Sequence, residues 1–248
     1  MSNELRTADR ALQTLQAFSP KRQTMTVGGL AEVLGVHKST ASRLVATLLR
    51  RGFLERDGGG DAVRLGPELG RLGLLVAGGG VDLVASARES IQELANRTGE
   101  TVNIAVLDST DQEPVIIAQA DGPHIVGIGQ WNGRRNPAHC TAVGKVLLAC
   151  TDGDVGAPLK GYTERTVTDS DVLRAQLEGV RRDGHAIVVG EYEEGLHAVA
   201  APIYDAEGCR AALSVSGPSY RMPPERLPEL AALCREAAAD VSARLGGA

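Results

Sequence analysis

The sequence predicts an α+β chain in two parts: a winged helix-turn-helix head, then a linker helix leading to a larger, mostly antiparallel sheet with helices on its faces. Three observations predict it. Apolar residues recur at helical spacing three times in the first 50 positions, and a glycine-rich hairpin follows them. Helix and strand signals then alternate through the rest of the chain. Charge divides at the same place, because residues 1–66 carry ten Lys/Arg against six Asp/Glu while residues 67–248 carry sixteen against twenty-five. A chain of 248 residues has room for two cores.

In the head, Ala8, Leu12, Leu15 and Phe18 mark the inner face of a first helix that Pro20 stops. Thr26 is placed to cap a short helix from Val27 to Leu34, with Leu30, Ala31 and Leu34 facing inward, and Gly35 supplies the tight turn after it. A third helix runs from about Lys38 to Arg50 and buries Val36, Thr40 or Ala41, Leu44, Val45 and Leu48. Gly52–Arg56 and Ala62–Leu65 read as the two strands of a hairpin across Asp57–Asp61.

The outer face of the third helix carries the functional signal. It presents His37, Lys38, Ser39, Ser42, Arg43, Thr47 and Arg50, with no acidic residue between Val33 and Gly52. Short hydroxyls and long cations suit a helix that enters the major groove of double-stranded DNA without repelling phosphates. Ser39 and Thr40 are placed to cap the helix or donate to phosphate, Arg43 is the first choice for a base edge, and Arg56 and Arg64 flank the wing as phosphate contacts. One helix reads only a few base pairs, so at least a dimer is expected on paired half-sites. Leu69, Leu72, Leu75 and Val76, on a helix opened by Pro67, are the expected linker and dimer contact, with Gly78–Gly80 as hinge. The domains are therefore 1–66, the linker 67–80 and the body 81–248.

The body is expected to begin with a helix from Val81 to Asn96, followed by strands Thr101–Leu107 and Pro114–Ala118 and a further short strand at Ile125–Ile128. Helices are expected at Ala142–Ala149 and Val172–Arg182, a hairpin at Leu196–Tyr204 and Arg210–Ser216, and a last helix from Pro224 to Leu245. None of the familiar hydrolase, zinc-protease or nucleotide-binding motifs occurs. His185, Glu191, Glu193, Glu194 and His197 lie close in sequence, but their spacing matches no defined metal motif. Gly144-Lys145 lacks the glycine-rich loop a phosphate site needs, and Cys140 beside His139 reads as a packed thiol rather than an activated nucleophile. No metal or cofactor is implied. Four scattered cysteines, no apolar run long enough to cross a bilayer and no apolar N-terminal signal point to a cytoplasmic protein with no membrane partner.

With these residues in view, the chain resembles the IclR-type transcriptional regulators along nearly its whole length. The resemblance rests on Leu30–Val36, Lys38–Leu44, Leu48–Leu54 and Arg64–Pro67 in the head. In the body it rests on Pro137–Lys145, Tyr162-Thr163, Val180–Gly184, Ala200–Asp205 and Leu213–Pro218. It implies a GAF-like effector domain and homodimers that sometimes assemble into homotetramers on DNA, with repression common. It also implies an effector pocket lined by Thr141, Ala142 and Val143, by the stretch after Gly184, by the strand from Leu196, and by Ser214 and Ser216. Where oxo-acid-binding members carry an acidic run and a thiol, this chain has Val188 and Ala198. A less polar cavity favours a partly apolar or aromatic small-molecule effector over a glyoxylate-like one. Two rival readings stand beside it: an enzymatic body using Cys140 or a metal at His185 and His197, and an architectural DNA-binder with no ligand.

Overall fold

The structure is a computed structural model that describes residues 5–19, 22–58, 60–77, 83–108, 113–151 and 158–247. Its contacts divide the chain into two compact units, residues 1–80 and 81–248.

The first unit contains α1 (Arg6–Gln16), β1 (Thr24–Thr26), α2 (Val27–Val33), α3 (Lys38–Arg50), β2 (Leu54–Arg56), β3 (Ala62–Leu65) and α4 (Pro67–Ala77). The Thr26 side chain accepts from the Gly29 amide at 3.1 Å and caps α2 as expected. Gly35, at φ +61°, turns the chain into α3 in a conformation that a side chain would strain. The cap of α3 is His37, whose ring nitrogen accepts from the Ser39 amide and meets the Ser39 hydroxyl at 2.9 Å, so neither Ser39 nor Thr40 performs that task. Ala41, Leu44, Val45 and Leu48 are buried as expected, whereas Val36 is only half-buried. Leu30, Val45, Leu48, Leu54 and Val63 form the core with Met25, which belongs to a strand the sequence reading missed. That strand, β1, adds to the wing and gives an antiparallel sheet of order β1-β3-β2.

Two expectations in this unit need correction. Leu12 is 61% exposed and Ala8 is exposed, whereas Leu15 and Phe18 are half-buried as expected and Thr14 is the buried residue of α1. Thr14 tolerates full burial by donating its hydroxyl to the Arg10 carbonyl at 2.7 Å. Pro20 and the Gly78–Gly80 hinge lie outside the described residues, as do the side chains of Leu75 and Val76.

The second unit holds α5 (Leu83–Thr98), β4 (Thr101–Leu107), β5 (Pro114–Ala120), α6 (Ala142–Ala149), α7 (Ser170–Asp183), β6 (Ala186–Val189), β7 (Leu196–Asp205), β8 (Gly208–Pro218) and α8 (Leu227–Arg244). A 3-10 turn at Pro224–Arg226 occupies what was read as the start of the last helix. The five strands pair antiparallel throughout in the order β5-β4-β8-β7-β6. Alternation along β8 separates two layers. Ala211, Leu213 and Val215 join a core with α5 and α8, while Ala212 joins a second core with α6 and α7 on the other face. Ser214 and Ser216, in phase with Ala212, therefore face the α6 side.

Ile125–Ile128 is not a strand, and Ile125 is fully exposed. The free edge of β5 is already taken by residues 133–136: Gly133 donates to Ile116 at 2.8 Å, Ile116 to Arg134 at 3.1 Å, and Asn136 to Pro114 at 3.0 Å.

Candidate functional site

The first candidate surface is the outer face of α3. Lys38, Ser39, Ser42, Arg43, Thr47 and Arg50 are all exposed, and Thr40 is half-buried beside them. Thr47 returns its hydroxyl to the Arg43 carbonyl at 2.9 Å. Arg56 is exposed and reaches the Gly60 carbonyl at 3.3 Å within its own hairpin. Arg64 is committed more strongly, because its Nε lies 2.7 Å from Glu55 and a guanidinium nitrogen lies 4.0 Å from Asp57. Its charge is thus shared with the wing's own carboxylates. The α3 face, by contrast, offers its cations with no acid on the same helix.

The second candidate is a cavity between the sheet and α6. Thr141, Ala142, Val143, Val188, Ala198, Ser214 and Ser216, each selected from the sequence, all line it. Strand register explains the convergence. Ser216 sits opposite both Thr101 and Ala198, Ala198 sits opposite Val188, and Ser214 sits opposite Asn103. Thr141 caps α6, accepting from the Gly144 amide at 3.3 Å and donating to the Pro137 carbonyl at 2.8 Å. Its hydroxyl is therefore spent on the fold, and what the helix start offers the cavity is its first-turn amides. Gly144 is required here, since a Cβ at that position would lie 2.2 Å from the Ala138 carbonyl oxygen.

The structure adds residues that the sequence reading missed. Asn103 and Asn136 line the cavity, are each 4% exposed, and have side-chain carbonyl oxygens with no hydrogen-bond partner. An unpaired buried acceptor costs about 1–3 kcal/mol, so a partner from a bound molecule would relieve it. Asn103 carried a signal, as the one amide in the apolar run Val102-Asn103-Ile104-Ala105. Asn136 carried none that local pattern reveals. Trp131, Tyr192, Ile116, Ile128 and Leu196 complete an apolar, aromatic wall. Tyr192 stands edge-on to Trp131 at 6.1 Å and to Tyr162 at 5.2 Å. The indole Nε1 donates to the Ile128 carbonyl at 2.6 Å, and Arg134 covers the ring at 4.6 Å.

A buried ion pair braces this wall. Lys145, 2% exposed on α6, places Nζ 2.5 and 2.7 Å from the Glu191 carboxylate oxygens and 2.7 Å from Gln176 Oε1. Burial pulls the ammonium below the usual lysine range, and the hydrogen bond and charge of Glu191 oppose that shift. Thr163 and Thr166 hold the same turn from the other side, donating to the Gly190 and Glu191 carbonyls at 2.7 and 2.6 Å.

The residues once grouped as a metal candidate are dispersed among other tasks. Glu191 holds Lys145, buried His197 meets the Met222 carbonyl at 2.8 Å, and half-buried His185 meets the Asp183 carbonyl at 3.0 Å. Glu193 and Glu194 are exposed. Among the described residues, no three His, Cys, Asp or Glu side chains come together as a metal group. Cys140 also lines the cavity, in the turn that leads into α6. Burial, helped by the negative charge of Glu191, pushes its thiol up to about 12, while His139 is engaged by the Lys160 carbonyl at 2.9 Å.

Known proteins agree with this division of labour. Residues 7–58 match the IclR helix-turn-helix domain, and residues 77–243 match the bacterial transcriptional regulator IclR C-terminal domain. The regulator KdgR of Escherichia coli K12 is 35% identical over 239 residues, covering 94% of this chain and 89% of that protein. The Pca regulon regulatory protein of Pseudomonas putida is 31% identical over 84% of this chain and 72% of its own length. Among solved structures, an IclR homologue from Microbacterium hydrocarbonoxydans complexed with 4-hydroxybenzoate superposes with a TM-score of 0.79 at 26% identity, covering 96% of this chain and 98% of that one. The IclR of Thermotoga maritima superposes with a TM-score of 0.74 at 26% identity, covering 98% and 100%. Among the described residues, no helix is long and apolar enough to cross a membrane. The chain belongs to the IclR family of transcriptional regulators, with a helix-turn-helix that binds DNA and a C-terminal domain that binds a small-molecule effector.

Proposed function

We propose that this regulator reads a palindromic operator in the cytoplasm as a homodimer or homotetramer, and that its effector is an aromatic or otherwise partly apolar acid carrying a hydroxyl group. The division of labour is residues 1–66 for DNA, 67–80 as linker and 81–248 for the effector. Lys38, Ser39, Thr40, Ser42, Arg43, Thr47 and Arg50 meet the groove, with Arg56 and Arg64 towards flanking phosphates. Arg64 does so in exchange for its pairing with Glu55.

One observation carries the effector reading: the cavity combines an aromatic wall with two unsatisfied side-chain carbonyls. Trp131 and Tyr192 offer ring faces and edges, and Val143, Val188, Ala198 and Ile116 offer apolar contact at about 25 cal/mol per Å². The first-turn amides of α6 suit a carboxylate. Asn103 and Asn136 want donors, which a ring hydroxyl provides, and Ser214 beside Asn103 can serve either role. The hydroxybenzoate held by the Microbacterium relative has this combination of groups. An engaged His139 and a strongly protonated Cys140 give the enzymatic reading no support.

Isothermal titration with a series of hydroxybenzoates, benzoate, glyoxylate and pyruvate tests the reading. Hydroxybenzoates should bind, benzoate should bind more weakly, and the two oxo-acids should give no heat. Tight glyoxylate binding with no response to any aromatic acid would overturn it.

A further inference from the structure

A second cleft on this unit lies at the opposite end of α6 from the cavity. It is lined by Val106, Leu107, Leu147, Thr151 and Arg210 together with two cysteines, Cys150 and Cys209. Cys150 is the C-cap of α6 and is exposed; Cys209 is the second residue of β8 and is half-buried. Fifty-nine positions apart in sequence, the two cysteines are brought to the walls of one cleft because Cys209 packs on the core that holds Leu147 and Ala149 of α6.

From this juxtaposition we propose that Cys150 and Cys209 form a peroxide-oxidisable dithiol that closes into a disulfide between α6 and β8.

The surroundings assign different parts to the two sulfurs. The neighbouring Cys209 thiol chiefly, then Tyr204 and the positive charge of Arg181, lower the Cys150 thiol against the opposing effect of burial. Arg181 is fixed at that spot, since its Nε donates to the Ala149 carbonyl at 2.7 Å and its Nη2 to the Thr151 carbonyl at 3.5 Å. Cys209 is shifted the other way, by the neighbouring Cys150 and by burial, its Sγ donating to the Ala211 carbonyl at 3.7 Å, and it remains the protonated partner. The remaining cysteines, Cys140 and Cys234, are fully buried with thiols pushed up to about 12, so neither competes for oxidant.

The chemistry balances with hydrogen peroxide as oxidant. The Cys150 thiolate attacks one peroxide oxygen, the O–O bond breaks, and a sulfenic acid forms. The departing hydroxide takes the proton lost when the thiol ionised and becomes water. Cys209 sulfur then attacks Cys150 sulfur, the S–O bond breaks, and that hydroxide leaves as water with the Cys209 proton. Two thiols lose two electrons in all and peroxide is reduced to two waters. Closure needs the two sulfurs to approach across the cleft to about 2.05 Å.

The test uses the full-length reduced protein treated with hydrogen peroxide, blocked with a maleimide in denaturant, digested and analysed by mass spectrometry. The expected product is an intramolecular crosslink joining the Cys150 and Cys209 peptides, with two hydrogens lost and reversal by dithiothreitol. Cys209→Ser should stop at a Cys150 sulfenic acid that dimedone traps, and Cys150→Ser should leave Cys209 unmodified. The wild-type crosslink alone decides the matter if a variant fails to fold. A crosslink through Cys140 or Cys234, only intermolecular bonds, dimedone on Cys209 in preference to Cys150, or four free thiols after treatment would each overturn the proposal.

Discussion

At the residue scale, the cavity's two asparagines separate fold stability from ligand recognition. Asn103 is buried with its carbonyl unpaired, so the folded protein gains nothing from that oxygen. Asn103→Leu keeps the size and removes the unpaired group. Stability in urea should therefore hold or rise by about 1 kcal/mol, while the affinity for a hydroxylated aromatic acid falls by about 1–3 kcal/mol, read by titration calorimetry. A variant that loses both together would assign Asn103 to packing instead. On the DNA side, Arg43→Ala should cost about 1–3 kcal/mol of operator binding and relax base preference in gel retardation. Unchanged binding to the operator would show that another face reads the groove. Both positions differ in how legible they were. Arg43 follows from spacing on a helix, whereas Asn103 needs the cross-strand register with Ser214 before its burial against a cavity can be known.

At the element scale, the Lys145–Glu191 pair ties α6 to the turn that carries Tyr192. Glu191→Ala strands a buried ammonium and should destabilise the protein by about 3–5 kcal/mol in chemical denaturation. The double change Lys145→Met with Glu191→Leu should recover most of that loss. A single variant as stable as the parent would mean that water or Gln176 suffices to satisfy Lys145. The sequence showed both residues but not their meeting, because Glu191 was grouped with nearby histidines and Lys145 lies 46 positions away. Long elements were legible throughout. α6 and β4 span the residues that periodicity predicts, and the helical segments of the head fall in the expected order. Short strands were legible only where a turn announced them, as Asp57–Asp61 does for β2 and β3; elsewhere pairing partners decide them rather than local pattern. β1 and β6, of three and four residues, exist through β3 and β7, and Ile125–Ile128 fails as a strand because residues 133–136 hold the sheet edge it would need.

At the scale of the whole molecule, a basic DNA-reading unit is joined to an acidic ligand-binding one, with a net charge of −5. On the proposed function, operator affinity comes from local cations on α3 and the wing rather than from overall charge. Logarithmic plots of binding against salt should be linear and steep, with a slope of about −0.9 for each phosphate neutralised. Substituting Lys38 should reduce that slope by about one, measured by retardation over a range of potassium chloride. A flat salt dependence would place the contacts elsewhere. Linkage then requires that effector and operator change each other's affinity by the same factor, so calorimetry and retardation must agree on it.

The chain's single tryptophan is part of the cavity wall, 8% exposed, with the cation of Arg134 over its ring and Tyr192 at its edge. Indole emission responds to local polarity and to nearby quenchers, so this side chain is an intrinsic optical reporter whose signal arises at that one place. A change in its spectrum would follow occupancy without dye or tag. Because residues 1–66 contain no tryptophan, the same cuvette could hold operator DNA without a second emitter confusing the trace.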